Sequence, residues 1–159
     1  TNQDEDALIG YTVRETMTNF GSVKRGICEI NNGYLTKLTE SIIDKDNDKL
    51  VGKTLDSNSD IEVNNNTIVS MNMFGFTPKV FEYLEKGFKE YLDTHDLLKG
   101  EYLIPIAVNE FLEKGLIDVK VINTTAKWYG VTYKEDLDLL KRELNELINN
   151  GIYPKNLWD

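Results

Sequence analysis

Thr67-Ile68-Val69-Ser70-Met71-Asn72-Met73-Phe74-Gly75-Phe76-Thr77-Pro78 is the stretch on which the fold reading turns. It is apolar on both alternating faces except at Ser70 and Asn72, the pattern of a strand covered on both sides. Thr77-Pro78 then reads as a helix start, since Thr caps well and Pro tolerates the first turn. Val80, Phe81, Leu84, Phe88 and Leu92 recur at helical spacing, so the pattern predicts an amphipathic helix over 78–93. Strands and helices mix along the chain, so the class read from the pattern is α/β or α+β.

Upstream, Ala7–Val13 is a candidate strand. Asn31-Asn32-Gly33 is a turn signal, because Asn and Gly accept positive φ cheaply, and it predicts a β-hairpin over 24–40. Residues 43–66 are rich in Asp, Asn, Lys and Ser, and read as a polar insertion or loop with one short strand at Ile61–Val63. Downstream, Ile104, Ala107, Val108, Phe111 and Leu112 predict a helix over 101–113, closed by Lys114-Gly115. Val119–Ile122 reads as a strand. Thr132 and Glu135 form a capping box ahead of a third helix that Asn149-Asn150-Gly151 stops. The expectation is a single domain over 1–159, with a mixed sheet, a β-hairpin and three main helices.

Composition narrows the function classes. The 159 residues carry 18 Lys+Arg against 27 Asp+Glu, a net charge of −9. That balance argues against nucleic acid and anionic membrane as partners, because both need a basic footprint. One cysteine, Cys28, rules out an internal disulfide, and one histidine, His95, rules out a three-histidine metal site. No apolar run approaches the ~18 residues of a membrane span. The acidic N-terminal residues are the opposite of a basic signal peptide, so the expected location is cytoplasmic.

Few residues stand out for chemistry. Asp44-Lys45-Asp46-Asn47-Asp48 begins like a calcium loop, but Lys49 and Leu55 stand where Gly and Glu are required. Cys28 has no histidine near it in sequence and reads as a structural thiol. Asn72 is a polar side chain in an apolar strand. A buried amide must be hydrogen-bonded or cost roughly 1–3 kcal/mol; its partners are either backbone groups or a hydroxyl-bearing ligand. Glu40, at the end of the hairpin, reads by itself as a surface carboxylate.

Taken together, several segments resemble the second half of the nucleotidyltransferase family that joins sugar phosphates to nucleotides. They are Arg25–Glu29, Gly33–Glu40, Val69–Phe76, the Pro78 helix, Glu101–Leu112, Lys127–Asp136 and Gly151–Trp158, in the family's order. The resemblance implies the C-terminal part of a Rossmann-like nucleotide-diphospho-sugar transferase fold. It implies an acceptor-binding half of an enzyme in which a sugar-phosphate oxygen, or that of a similar phosphate, attacks the α-phosphorus of a nucleoside triphosphate and releases pyrophosphate. Magnesium would neutralise the phosphates. The Gly-rich nucleotide loop belongs to a preceding half, so this chain alone is expected not to turn over. Gly26 matches the family's glycine whose backbone approaches the sugar; Glu40 and Asn72 match its sugar-contacting Glu and Asn. Lys127 is a candidate phosphate contact. The family's Lys-Pro after the Glu is Ser41-Ile42 here, and the Asp that serves as second metal ligand is Gly130. The alternative is a metabolite-binding or regulatory module without catalysis.

Overall fold

Asn32 and Gly33 both take positive φ, at 51° and 84°, and turn the chain between two long strands, β2 (Val23–Asn31) and β3 (Tyr34–Asp46). Two consecutive left-handed residues give the turn whose twist matches a hairpin's strands. The computed structural model describes residues 5–18, 21–47, 49–96, 98, 100–130, 136–156 and 158. The chain divides into two compact units, Thr1–Ala126 and Lys127–Asp159.

In the first unit β1 (Asp6–Thr12) leads through a short 3-10 turn, Val13–Thr16, to the hairpin. β3 then runs on into β4 (Lys49–Thr54) and the short β5 (Asp60–Ile61). β6 (Ile68–Gly75), helix α1 (Val80–Thr94), helix α2 (Ile104–Glu113) and β7 (Val119–Thr124) complete it. The strand order is β2-β6-β1-β7-β3-β4-β5, and β2 also pairs with β3. The ring β3-β2-β6-β1-β7 therefore closes on itself as a five-stranded barrel, with β4 and β5 as an antiparallel extension.

This overturns the Rossmann-like expectation. A Rossmann-like sheet is open and mostly parallel, whereas the only parallel pair among the described residues is β1–β7. The cause is the length of β3. Its first residue pairs on one edge with Asn31 and on the other with Lys120 of β7, and the Val121 amide donates to the Gly33 carbonyl at 2.9 Å. One strand thus joins both ends of the sheet. A bulge between Glu29 and Ile30 bends the hairpin towards that closure, as bulges sharpen local twist.

The polar stretch 43–66 is also not a loop. It contributes the end of β3, all of β4 and β5, and a turn with Asn47 at φ 55°. One face of these strands is solvated, so their composition resembles a loop's while their pairing is regular. Helix α1 begins at Val80 rather than 78, and Lys79 is its N-cap with no side-chain cap bond. Thr77 does not cap it; its amide instead donates to Asp6 Oδ1 at 2.6 Å, tying the start of β1 to the β6–α1 connection.

Alternation along the strands sends apolar residues to two faces. Leu8, Cys28, Leu35 and Leu38 pack with Val80 of α1 and with Ala107, Val108 and Phe111 of α2. Val13, Val23, Ile27, Ile43 and Val69 form the other cluster. Each fully buried aliphatic side chain contributes about 1.5–3 kcal/mol. α2 ends as its sequence predicts: Gly115, at φ 63°, donates to the Leu112 carbonyl while Leu116 donates to that of Phe111.

The second unit holds α3 (Asp136–Asn149), closed in the same way at Gly151, φ 72°. The capping box at Thr132–Glu135 lies outside the described residues. No described helix is long and apolar enough to cross a membrane.

Candidate functional site

The outer edge of β3 changes partner along its length. At Tyr34 it pairs with β7, and from Ser41 to Asp46 with β4. Between those points no described strand covers it. Main-chain groups there are satisfied by other means, as buried backbone must be. The Leu38 amide donates to Asn109 Oδ1 of α2 at 2.9 Å, and the Leu55 amide donates to the Glu40 carbonyl at 2.8 Å. A cavity of about 660 Å³ sits over this seam, between β3, the turn after β4 and one side of α2.

Glu40 lines that cavity and is half-buried. Burial raises its carboxyl above the ordinary range, with Arg25 and Lys24 pulling the other way. Thr39 lies beside it, and its Oγ1 is buried with no hydrogen-bond partner among the described residues. Across the cavity Thr54 Oγ1 and Ser57 Oγ are 2.8 Å apart, and the Ser57 amide donates to Asp56 Oδ1 at 2.5 Å. The Asp56 carboxyl is held below its ordinary range by the Thr54 hydroxyl and the Ser57 amide. Lys37 is the one cation among the described lining residues, which also include Glu40, Asp56, Glu110 and Glu113, and its Nζ lies 3.6 Å from Glu29 Oε1. Such a wall suits hydroxyls and cationic groups and disfavours an anion.

Gly26 is directly opposite Glu40 and is also paired with Ser70, which in turn is opposite Gly10. Adjacent cross-strand partners share a face. Three small residues thus occupy neighbouring strands at one level, with Glu40 at one end. The space above Gly26 is filled: a Cβ there would lie 2.9 Å from Glu40 Oε1 and 2.9 Å from Leu38 Cδ1. What the glycine accommodates in this structure is the Glu40 carboxylate itself, laid across β2.

The other two expected residues are not brought to this cavity. Asn72 is exposed, not buried, with φ 59°. β1 and β6 lose register between Leu8 and Gly10, where three residues of β6 stand against one of β1, and Asn72 is the middle of the three. Asn tolerates the left-handed region better than other residues with a Cβ. Its amide donates to Ser70 Oγ at 3.1 Å, and it lines a separate, largely apolar cavity with Phe74, Phe76 and Phe81. Lys127 belongs to the second unit, where its Nζ lies 3.6 Å from Glu143 Oε2 and 5.0 Å above the Tyr129 ring.

Ser41 and Gly130, which depart from the pattern the sequence resembles, have structural accounts. Ser41 is fully buried, and its hydroxyl donates to the Thr39 carbonyl at 3.0 Å. A Cβ at Gly130 would lie 2.0 Å from Cη2 of the Trp128 indole, so the ring covers the place a carboxylate side chain would start from. In the same unit Glu143 accepts from Tyr129 at 2.7 Å and pairs with Lys127 and Arg142; the Tyr129 bond holds it below the ordinary range. These residues do not fit a magnesium site at Gly130, and no three His, Cys, Asp or Glu among the described residues are grouped to hold a metal.

Cys28 is buried, its thiol pushed up to about 12, first by burial and then by Glu40. That suits packing rather than nucleophilic attack. The signal that sequence reading missed is α2. Asn109, Glu110 and Glu113 fall on its non-core side, and only the fold shows that this side faces Glu40. No family model matches the chain, and no curated protein matches it.

Proposed function

We propose that the seam cavity binds the hydroxyl-bearing part of a phosphorylated acceptor, a sugar phosphate or similar phosphate. The protein then serves as the acceptor-binding half of a cytoplasmic nucleotidyltransferase-like enzyme that passes a nucleotidyl group from a nucleoside triphosphate and releases pyrophosphate. The observation that carries this reading is Glu40, a half-buried carboxylate with raised affinity for its proton, lying against bare backbone at Gly26. A carboxylate so placed accepts hydrogen bonds from ligand hydroxyls in a partly desolvated setting, where charge-assisted bonds are strong. Glu40 and Gly26 support the hydroxyl-binding part, and nucleotidyl transfer is what the sequence resemblance implies. The acceptor's phosphate lies away from this wall, since four carboxylates line it against one lysine, itself paired with Glu29.

The test is a titration of the chain, followed by amide NMR, with glucose 1-phosphate, free glucose and inorganic phosphate. Saturable binding of both sugars, weakened at least tenfold by Glu40→Ala and absent for inorganic phosphate alone, is the expected result. Binding untouched by Glu40→Ala, or none at all, refutes it.

A second reading, binding without catalysis, is favoured by Ser41 and Gly130. One is a buried hydroxyl turned to its own strand, and the other is a glycine under an indole. Pyrophosphate release by the chain joined to a nucleotide-binding half separates the two. Turnover supports the enzyme, and ligand binding without turnover supports the module.

A further inference from the structure

Asn-Gly occurs twice in the chain, at Asn32-Gly33 and at Asn150-Gly151, and all four residues are exposed. The pair has a chemistry of its own. The backbone nitrogen of the glycine can attack the side-chain carbonyl carbon of the asparagine, with no Cβ on the glycine to hinder the approach. The new C–N bond closes a five-membered succinimide. The side-chain nitrogen leaves as ammonia, taking up the proton that the backbone nitrogen gives to solvent. Water then opens the ring at either carbonyl. One opening gives aspartate. The other gives isoaspartate, in which the main chain runs through the former side chain and is one methylene longer.

The structure sets the two pairs apart. The Gly33 amide donates no hydrogen bond among the described residues, and nothing lies within 4 Å of where a Cβ on Gly33 would stand. The Gly151 amide donates to the Ile148 carbonyl at 3.0 Å, and the Asn150 amide to that of Glu146 at 2.9 Å. Attack requires loss of the glycine amide proton, and a proton held in a hydrogen bond is released only when that bond opens.

The pairs also differ in what depends on them. The Gly33 carbonyl accepts from the Val121 amide at 2.9 Å, and Tyr34 makes the only described β3–β7 pair, with Lys120. The same two side chains meet at Glu5: the Tyr34 hydroxyl donates to Oε1 at 2.5 Å, and Lys120 Nζ lies 3.5 Å from Oε2. On the hairpin side Tyr34 is held opposite Asn31. A main chain lengthened between Asn31 and Gly33 has to give up geometry at the Asn31–Tyr34 pair or at the Gly33–Val121 bond. We infer that Asn32 is a site of spontaneous deamidation, and that its isoaspartyl product loosens the barrel where β3 meets β7.

The site is independent of the Glu40 reading. The folded chain is aged in mildly alkaline buffer without denaturant and sampled over weeks. Peptide mapping by mass spectrometry reads the Asn-to-Asp mass change at each pair, and isomer-resolving fragmentation reads isoaspartate. Asn32 is expected to convert at least fivefold faster than Asn150, with isoaspartate in excess, and the aged protein to unfold at lower urea than the fresh one. Asn32→Gly accepts the φ of 51° and has no side chain to be attacked, so its urea midpoint should hold through the same ageing. Fresh Asn32→Asp carries the new charge on an unlengthened chain and should unfold close to the fresh parent. Conversion at Asn150 as fast as at Asn32 overturns the inference. So does a midpoint that stays constant while Asn32 converts, one that falls equally in Asn32→Gly, or a fresh Asn32→Asp as unstable as the aged parent.

Discussion

Replacing Gly26 by Ala tests the central claim about the site, that the Glu40 carboxylate and Leu38 occupy the space above a glycine. The added Cβ would stand 2.9 Å from Leu38 Cδ1 and 2.9 Å from Glu40 Oε1. Carbon contacts are comfortable at about 3.5–4.0 Å, so the overlap with Leu38 is roughly 0.6–1.1 Å. Leu38 is 4% exposed and packed among Cys28, Leu35 and Phe111, so it cannot move freely. Overpacking of this kind costs about 1–3 kcal/mol. Removing a glycine also lowers the unfolded chain's entropy, which alone stabilises by about 0.4–1 kcal/mol. A net loss above 1 kcal/mol in urea unfolding is therefore a demanding outcome, and it is the one expected. Leu38→Ala vacates the space, so Gly26→Ala costs much less in that background. The double variant should be more stable than the sum of the singles predicts by about 1 kcal/mol. Equal stability of Gly26→Ala and the parent, with additive singles, would show that the contact has no energetic content.

Glu40 gives a pH signature. Its folded carboxyl binds its proton more tightly than the unfolded one, so the group's favourable contribution is complete below the ordinary value of 4.5 and is lost as pH rises through the folded value. Glu40→Gln should gain stability over the parent across that rise and hold the gain at neutral pH; parallel pH–stability curves would refute the assignment. At Asn72, Ala should cost about 1 kcal/mol because φ is 59°, while Gly should be neutral within about 0.5 kcal/mol in the same unfolding assay. Cys28, buried with its thiol near 12, should resist a thiol reagent in the folded protein and react at once in urea; fast native labelling would contradict its burial. Gly115→Ala, at φ 63°, should cost about 1 kcal/mol in thermal or urea unfolding.

Local physics made part of this molecule readable. The Asn32-Gly33 turn, the apolar stripes of α1 and α2 and the Gly115 stop each depend on residues within a few positions of one another. Barrel closure depends on Tyr34 meeting Lys120, a pairing that no local pattern encodes. The same limit governs Asn72. Alternation places it in a buried strand, but a register shift against β1 leaves it exposed with a left-handed backbone, a demand that asparagine meets. Residues 43–66 misled for the opposite reason, since a strand solvated on one face carries a loop's composition. The Asn32-Gly33 turn made the hairpin legible, but the pairing of Gly26 with Glu40 depends on the bulge between Glu29 and Ile30, which shifts the register by one residue and has no local signal. The acidic wall from α2 was not legible either, because it reaches Glu40 through tertiary packing alone.

β1 bears on how the chain reaches this state at all. It comes first in the barrel, yet both its partners, β6 and β7, lie far along the sequence. On a ribosome releasing about 5–20 residues per second, the β2–β3–β4 meander can form from neighbours while β1 waits with both edges bare. Non-local pairings of this sort slow folding. Whatever guards β1 during synthesis, whether a chaperone or early burial of Leu8 and Val13, therefore governs how much of the protein escapes aggregation.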